Sequence, residues 1–127
     1  MRWLVCGLLL LVASCAARPP VVVTTAEEGR AVTLSPGDEL IVRLAANRTT
    51  GYRWQLADDP APVLASEAEV TYEPLEAGDG RVGAGGNDVW RFRAAQPGEA
   101  ELVFEYWRPW ERSPTPADSI SFAITVR

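Results

Sequence analysis

Residues 119–126 read SISFAITV, and this stretch decides the fold class. From Ile120 to Val126 every second residue is large and apolar, and the residues between them are small or carry a hydroxyl group. Alternation with a period of two is typical of a β-strand that buries one face and exposes the other. The stretch AELVFEYW at 100–107 alternates in the same way and predicts a second long strand just before it.

Outward from these two strands, the chain consists of short runs rich in β-branched and aromatic residues, separated by Gly, Pro, Asn and Asp. SPGD at 35–38 and QPGE at 96–99 have the composition of tight turns. Residues 57–68 contain DDPAP, which favours a loop, although one helical turn remains open there. The predicted strands are Val21–Thr25, Ala31–Leu34, Glu39–Ala46, Tyr52–Leu56, Glu69–Glu73, Asp88–Ala94, Ala100–Trp107 and Ser119–Val126.

Seven or eight short strands in a chain of 127 residues predict an all-β fold, an immunoglobulin-like antiparallel β-sandwich. Successive connections between antiparallel strands lie at alternating ends of such a sandwich. Three connections should therefore share one end: the first loop (47–51), the second loop (74–87) and the third loop (108–118).

Composition narrows the function classes. The chain has no histidine and no lysine, and its two cysteines lie at positions 6 and 15. A Ser-His-Asp triad, a Cys-His pair, a histidine metal site and a Schiff-base lysine are therefore excluded. Without the first 14 residues, 17 acidic residues and 11 arginines give a net charge of −6, which argues against a nucleic-acid binder. The sequence predicts a protein that is not an enzyme and has no cofactor or metal.

The N-terminus predicts a targeting segment. An apolar run follows Arg2 and is too short to span a bilayer comfortably, as expected for a signal peptide. It ends in VASC (12–15), which resembles the lipobox of bacterial lipoproteins. That resemblance implies a cleaved signal peptide at 1–14, fatty acyl groups such as palmitate on Cys15, a tether at 15–20 and a domain at 21–127. Ala16 after the cysteine favours the outer membrane of a cell envelope with two membranes.

Each of the three loops also has a simple structural interpretation. NRTTG in the first loop has the composition of a turn. GDGRVG at 78–83 matches a dinucleotide-binding glycine pattern only formally, because no βαβ unit surrounds it. The simple interpretation of the second loop is a flexible linker; alternatively, Gly83, Gly85 and Gly86 would leave backbone N–H and C=O groups bare for another chain to pair with. WRPW at 107–110 could cap the sandwich, but Trp and Arg are also typical of interface hot spots.

Taken together, NRTTGY (47–52), GAGG (83–86) and RPW (108–110) resemble the chagasin-type inhibitors of papain-like cysteine proteases. That family carries an N-P-T-T-G-[YF] loop, a G-x-G-G loop and an R-P-W loop on an immunoglobulin-like sandwich. The order and spacing agree over nearly the whole domain. Arg48 departs from the pattern, because the family usually has proline at that position.

The resemblance implies reversible, tight inhibition, with the three loops blocking the active-site cleft of a papain-like cysteine protease. Thr49 and Thr50 would lie near the catalytic residues, the glycines along the substrate side, and Trp110 against the opposite side. The protein would act as a monomer. The implied protease-binding residues are Asn47, Arg48, Thr49, Thr50, Gly51, Tyr52, Gly83, Ala84, Gly85, Gly86, Arg108, Pro109 and Trp110.

Two alternatives stay open at this point. A lipid-anchored envelope module could use the same loops to recognise a peptide or a glycan, since Trp and Arg also serve such ligands. A purely structural lipoprotein, or an enzyme that uses a pair of carboxylates, is the third class. Inhibition of papain would distinguish a cysteine protease inhibitor from both of these alternatives.

Overall fold

The computed structural model describes residues 18–75, 85–111 and 115–127. The predicted signal peptide, Cys15, Gly83 and Ala84 lie outside the described residues. Among the residues that are described, no helix has the length and apolar character needed to cross a membrane.

Nine strands form in the described part of the chain, together with two single 3₁₀ turns at Thr25–Glu27 and Arg48–Thr50. The strands are β1 (Val21–Val23), β2 (Ala31–Leu34), β3 (Glu39–Ala46), β4 (Arg53–Leu56), β5 (Leu64–Ser66), β6 (Thr71–Pro74), β7 (Gly86–Ala94), β8 (Gly98–Trp107) and β9 (Asp118–Val126).

The strands form two sheets, which confirms the predicted all-β sandwich. One sheet has the order β1-β3-β7-β5, with β6 also paired to β7, and the other has the order β2-β9-β8-β4. The central pairings are antiparallel, but β1 runs parallel to β3 and β2 runs parallel to β9. Because β1, β2 and β3 lie alternately in the two sheets, β1 and β2 do not form hairpins with their sequence neighbours. Alternation along a strand does not encode the direction of that strand, so the pattern cannot tell a parallel from an antiparallel pairing.

Strand β5 was not predicted, and the loop expected at 57–68 is wrong for Leu64–Ser66. Three residues are too few for an alternating pattern to appear. Leu64 is nevertheless fully buried and pairs with Ala94 of β7, so tertiary packing forms this strand without a local signal.

The core lies between the sheets and is built from the alternating residues that the sequence showed. Phe122 of β9 and Phe104 of β8 are fully buried, and their ring centroids are 6.2 Å apart. Trp90 of β7 reaches across from the other sheet, with its ring 4.7 Å from that of Phe104. Each fully buried large side chain contributes about 1.5–3 kcal/mol to folding. The described strands and this core lie within residues 21–126.

The strand register brings the three loops to one end of the sandwich. Ala46, at the end of β3, pairs with Gly86 at the start of β7. In the other sheet Arg53 pairs with Trp107, and Tyr106 pairs with Asp118. All three loops leave the sheets at this end, as strand parity predicted, and we call it the loop end.

Candidate functional site

The first loop is a 3₁₀ turn that hydrogen-bonds to itself. Asn47 caps the turn, and its side-chain oxygen accepts hydrogen bonds from the Thr49 backbone N–H at 3.1 Å and the Thr49 hydroxyl at 2.5 Å. The Thr50 hydroxyl donates to the Asn47 carbonyl at 2.7 Å. The hydroxyls thus hold the turn, as the simple interpretation expected. Thr49 and Thr50 are also exposed, so the turn presents both residues to solvent.

Gly51 ends the turn in the left-handed region, with φ +83°. Its backbone is covered by the indole of Trp110 from the third loop. A β-carbon placed on Gly51 would overlap with that indole, and two further ring carbons would lie only 2.9 Å away. Trp110 is 67% exposed, so one part of its ring rests on the first loop while most of it faces solvent.

Arg108 joins the third loop to the first. Its guanidinium lies 4.4 Å from the centre of the Tyr52 ring, and its Nε donates to the Thr50 carbonyl at 3.1 Å. Nη1 donates to the Glu111 carboxylate at 3.0 Å, and this bond raises the pKa of Arg108. The sequence placed Arg108 only in contact with a partner, whereas the structure shows it holding the neighbouring loop.

A stack of aromatic rings supports this end of the sandwich from below. The Tyr52 and Tyr106 rings are 5.0 Å apart, and Tyr106 is 4.8 Å from Trp54, which is buried. The Tyr106 hydroxyl accepts a hydrogen bond from the Asn47 backbone N–H at 3.3 Å. The indole N–H of Trp54 donates to the Ala45 carbonyl at 3.0 Å. The first loop therefore sits on a rigid aromatic base that links both sheets.

Arg48 forms an ion pair that sequence reasoning missed. Its Nη2 lies 2.8 Å from Oδ1 of Asp88, whose side chain is buried in the sandwich. The guanidinium also lies 4.8 Å from the centre of the Tyr72 ring. A signal was available, because Asp88 is a charged residue in the inward register of Trp90 and Phe92.

The second loop is described only near its ends, at Leu75 and from Gly85 onward. Gly86 lies inside the sheet and pairs with both Ala46 and Pro74. The prediction that its backbone is bare is therefore wrong. The tight strand packing is the physical reason: a β-carbon there would lie 2.5 Å from the Glu73 carbonyl oxygen. The Gly85 carbonyl accepts a hydrogen bond from the Leu75 N–H at 3.0 Å.

A shallow, mainly apolar groove separates the first and second loops. It has a volume of about 310 Å³ and is lined by residues that include Ala45, Asn47, Leu75 and Gly85. Leu75 is 60% exposed beside it. Within the described ranges, no three Cys, Asp or Glu residues are grouped so that they could hold a metal ion. The loop end thus offers a shape and an apolar edge for contact, with aromatic and hydroxyl groups.

Comparison with known proteins gives consistent similarities. Residues 33–126 match the family described as "Chagasin family peptidase inhibitor I42". Amoebiasin-1 of Entamoeba histolytica is 32% identical over 79 residues, which cover 62% of this chain and 74% of that protein. Amoebiasin-2 of the same organism is 24% identical over 106 residues, covering 84% of this chain and 85% of that protein.

Solved structures share the fold. The crystal structure of the cysteine protease inhibitor EhICP2 from Entamoeba histolytica superposes with a TM-score of 0.75 at 22% identity, covering 84% of this chain and 95% of that one. PbICP-C, whose structure is in complex with falcipain-2, superposes with a TM-score of 0.54 at 21% identity, covering 86% of this chain and 90% of that one.

Proposed function

This chain belongs to the chagasin family of peptidase inhibitors, and from that premise we propose that its targets are papain-like cysteine proteases. The family consists of inhibitors, not enzymes. Among the structures similar to this chain, one is an inhibitor in complex with falcipain-2, which supports the same class of target here.

The observation that carries the proposal is the connection of the first and third loops into one preorganised surface. Arg108 binds the Thr50 carbonyl, Trp110 covers Gly51, and Tyr106 accepts from the Asn47 N–H. Loops that are already ordered lose little conformational entropy on binding, so contact area is converted efficiently into affinity.

The proposed mechanism is competitive occlusion of the cleft. The exposed turn of Thr49 and Thr50 enters the active site, and Trp110 packs beside it on the protease surface. The hydrogen bonds from Thr50 N–H to the Asn47 carbonyl and from Gly51 N–H to the Arg48 carbonyl keep the turn helical. Cleavable peptides bind in an extended form, so a helical turn presents no peptide bond in a cleavable orientation. Gly83, Ala84 and Gly85 would lie along the substrate side of the cleft.

The direct test is a titration of residues 18–127 into papain and into a cathepsin-L-like enzyme, following hydrolysis of a fluorogenic peptide. We expect reversible, competitive loss of activity with one inhibitor molecule bound per protease. A serine protease such as trypsin serves as the control and should remain active. Absence of inhibition of both cysteine proteases at micromolar concentrations would refute the proposal and favour an envelope module that binds a peptide or glycan.

Thr50→Glu should weaken inhibition by about 100-fold, because a longer, charged side chain at the tip of the turn cannot enter a closely packed cleft. Thermal stability should change little, since Thr50 is exposed and loses only its hydrogen bond to the Asn47 carbonyl. Inhibition constants and melting temperatures measure the two effects.

Thr33→Glu is the matched control, because Thr33 is exposed on β2, away from the loop end. It introduces the same charge and should leave inhibition unchanged. Equal loss of melting temperature and inhibition in Thr50→Glu would instead assign a structural role to the turn.

We further propose that the protein is a monomeric bacterial lipoprotein held in the cell envelope, with the outer membrane favoured. VASC at 12–15 supports this proposal, with cleavage before Cys15, a tether at 15–20 and the inhibitor domain at 21–127. Lipid on Cys15 would hold the inhibitor at a membrane without a spanning helix.

Cys15→Ser should abolish acylation and leave the protein uncleaved by the lipoprotein pathway. Labelling of cells with an alkyne-modified palmitate, followed by membrane fractionation, measures this directly. The wild-type chain should carry the label in the membrane fraction. Unlabelled wild-type protein in the soluble fraction would contradict the anchor but not the inhibitory function.

A further inference from the structure

Asp88 is the only buried charged or polar side chain among the described residues, with 1% of it exposed. It lies on β7 at the loop end, in the inward register of a strand whose other inward residues include Trp90 and Phe92. Taking a carboxylate out of water is costly unless its oxygens are well paired. The residues that pair with it therefore show what the buried charge holds in place.

Both oxygens of Asp88 are occupied, and their partners lie on different parts of the fold. Oδ1 accepts from Nε of Arg48 at 3.1 Å and from its Nη2 at 2.8 Å. Oδ2 accepts from the backbone N–H of Trp54, on β4 of the opposite sheet, at 3.2 Å. One carboxylate thus ties the first loop to β7 in one sheet and to β4 in the other.

Buried ion pairs add little net stability compared with apolar packing of the same shape, and in some proteins they serve instead to specify one conformation. Arg48 is the first residue of the 3₁₀ turn that displays Thr49 and Thr50. On the other side of the turn, Arg108 holds the Thr50 carbonyl at 3.1 Å. Arg48 and Arg108 thus hold the turn from its two sides, and of these two arginines only Arg48 is bonded to a buried side chain.

We propose that Asp88 is a positioning residue of the inhibitor: through Arg48 it sets the conformation of the first loop and makes no contact with the protease itself. The proposal rests on the proposed function, since it assigns a role in inhibition. It also explains how this chain orders its first loop with Arg48, and not a proline, at position 48. The ion pair supplies stiffness that a ring-constrained residue would supply covalently.

The backbone around position 48 can accept a proline, so the ion pair and a proline ring can be compared at the same position. Asn47 has φ −121° and ψ 98°, an extended conformation close to the range that a following proline favours. Position 48 begins the turn, where proline is well tolerated. None of the described hydrogen bonds uses the Arg48 backbone N–H. Proline can therefore stiffen the turn there without removing a bond that the structure contains.

The test compares two double variants that differ only at position 48: Arg48→Ala/Asp88→Asn and Arg48→Pro/Asp88→Asn. Both remove the buried charge, and the asparagine oxygen can still accept from the Trp54 N–H, so neither leaves an unpaired carboxylate. Arg91→Ala is the control, because its ion pair with Glu39, at 3.5 Å, lies in the outward register of the sheet, away from the loops.

Two measurements are made on residues 18–127: hydrogen exchange of the amides of residues 49–51 without protease, and the inhibition constant with its association and dissociation rates. For the alanine double variant we expect exchange to accelerate and the inhibition constant to rise by about tenfold, since an unordered loop must be ordered on binding. The proline double variant should recover to within about threefold of wild type, and Arg91→Ala should behave as wild type.

Wild-type exchange and inhibition in the alanine double variant would overturn the proposal. So would a proline double variant with slow exchange but weak inhibition, because Arg48 would then act by direct contact with the protease. Failure of the wild-type protein to inhibit any cysteine protease would refute the proposed function instead, and the exchange rates would still decide whether Asp88 orders the loop.

Discussion

Replacing Gly51 by alanine is expected to weaken inhibition of a papain-like protease by about 1,000-fold while the sandwich stays folded. A single added carbon has this effect because it acts on two features of the loop end at once.

The first effect is on the backbone. Gly51 has φ +83°, and a residue with a side chain held in that region costs about 1–3 kcal/mol. The second effect is on Trp110, whose indole occupies the space that the new β-carbon would fill. Displacing a tryptophan hot spot costs about 2 kcal/mol or more in binding, and every 1.4 kcal/mol corresponds to about tenfold in affinity. The strain lets the turn relax away from the binding conformation in the free protein, so its cost must be met again on binding and adds to the cost at Trp110; the two together give the expected loss.

Gly37→Ala separates the two effects. Gly37 has φ +92°, but apart from its own chain neighbours no heavy atom of the described residues lies within 4 Å of the position of its β-carbon. It sits in the turn between β2 and β3, at the end of the sandwich opposite the loops. Gly37→Ala should lose stability in urea unfolding and keep full inhibition, whereas Gly51→Ala should lose inhibition because its turn and Trp110 leave the binding conformation. Equal inhibition by the two variants would remove Gly51 and its contact with Trp110 from the binding surface.

Replacing Trp110 by alanine is expected to weaken inhibition by about 30- to 1,000-fold, the range for loss of an aromatic hot spot. Two-thirds of the side chain is exposed, and its described packing is against Gly51. Because little of the ring is buried in the free protein, its removal should lower the melting temperature only slightly. A large apolar surface that stability does not require is available for burial against a partner.

Trp107→Ala is the matched control, since it removes the same side chain three residues earlier. The Trp107 indole donates to the Glu105 carboxylate at 2.8 Å, and the residue is part of β8. Trp107→Ala should lower stability more than Trp110→Ala and affect inhibition less, as measured by calorimetry and by titration of papain. The opposite order would show that Trp110 caps the sandwich and that Trp107 is the contact residue.

The long strands of the fold were predictable because their pattern is local. In β9 each buried residue alternates with a small or hydroxyl-bearing one, and Ala31–Leu34 and Glu39–Ala46 were predicted with the observed ends. Strand β5 was not predictable, because Leu64 is buried by contact with a distant strand and not by a pattern around it. The parallel pairings at the sheet edges were not predictable for a related reason: alternation along a strand is the same whichever way the neighbouring strand runs.

Some features of the candidate site were likewise predictable from the sequence, and others were not. The three loops could be found from their composition, and strand parity placed them at one end. The burial of Gly86 within the sheet and the intramolecular bonds of Arg108 were not predictable, because each depends on a partner from another strand or loop. Asp88 was visible only as a charged residue in an inward register, without any indication of its partner.

By itself, the sequence determined that this protein is an all-β sandwich and that it cannot use histidine- or lysine-based catalysis, because strand periodicity and the lack of histidine and lysine are properties of the chain alone. It also determined which loop residues are candidates for binding. The tertiary structure alone decided how those loops are held: Asp88 with Arg48, Arg108 with Thr50, and Trp110 on Gly51. These contacts join residues about 40 to 60 positions apart, and only folding brings such partners within hydrogen-bonding or packing distance.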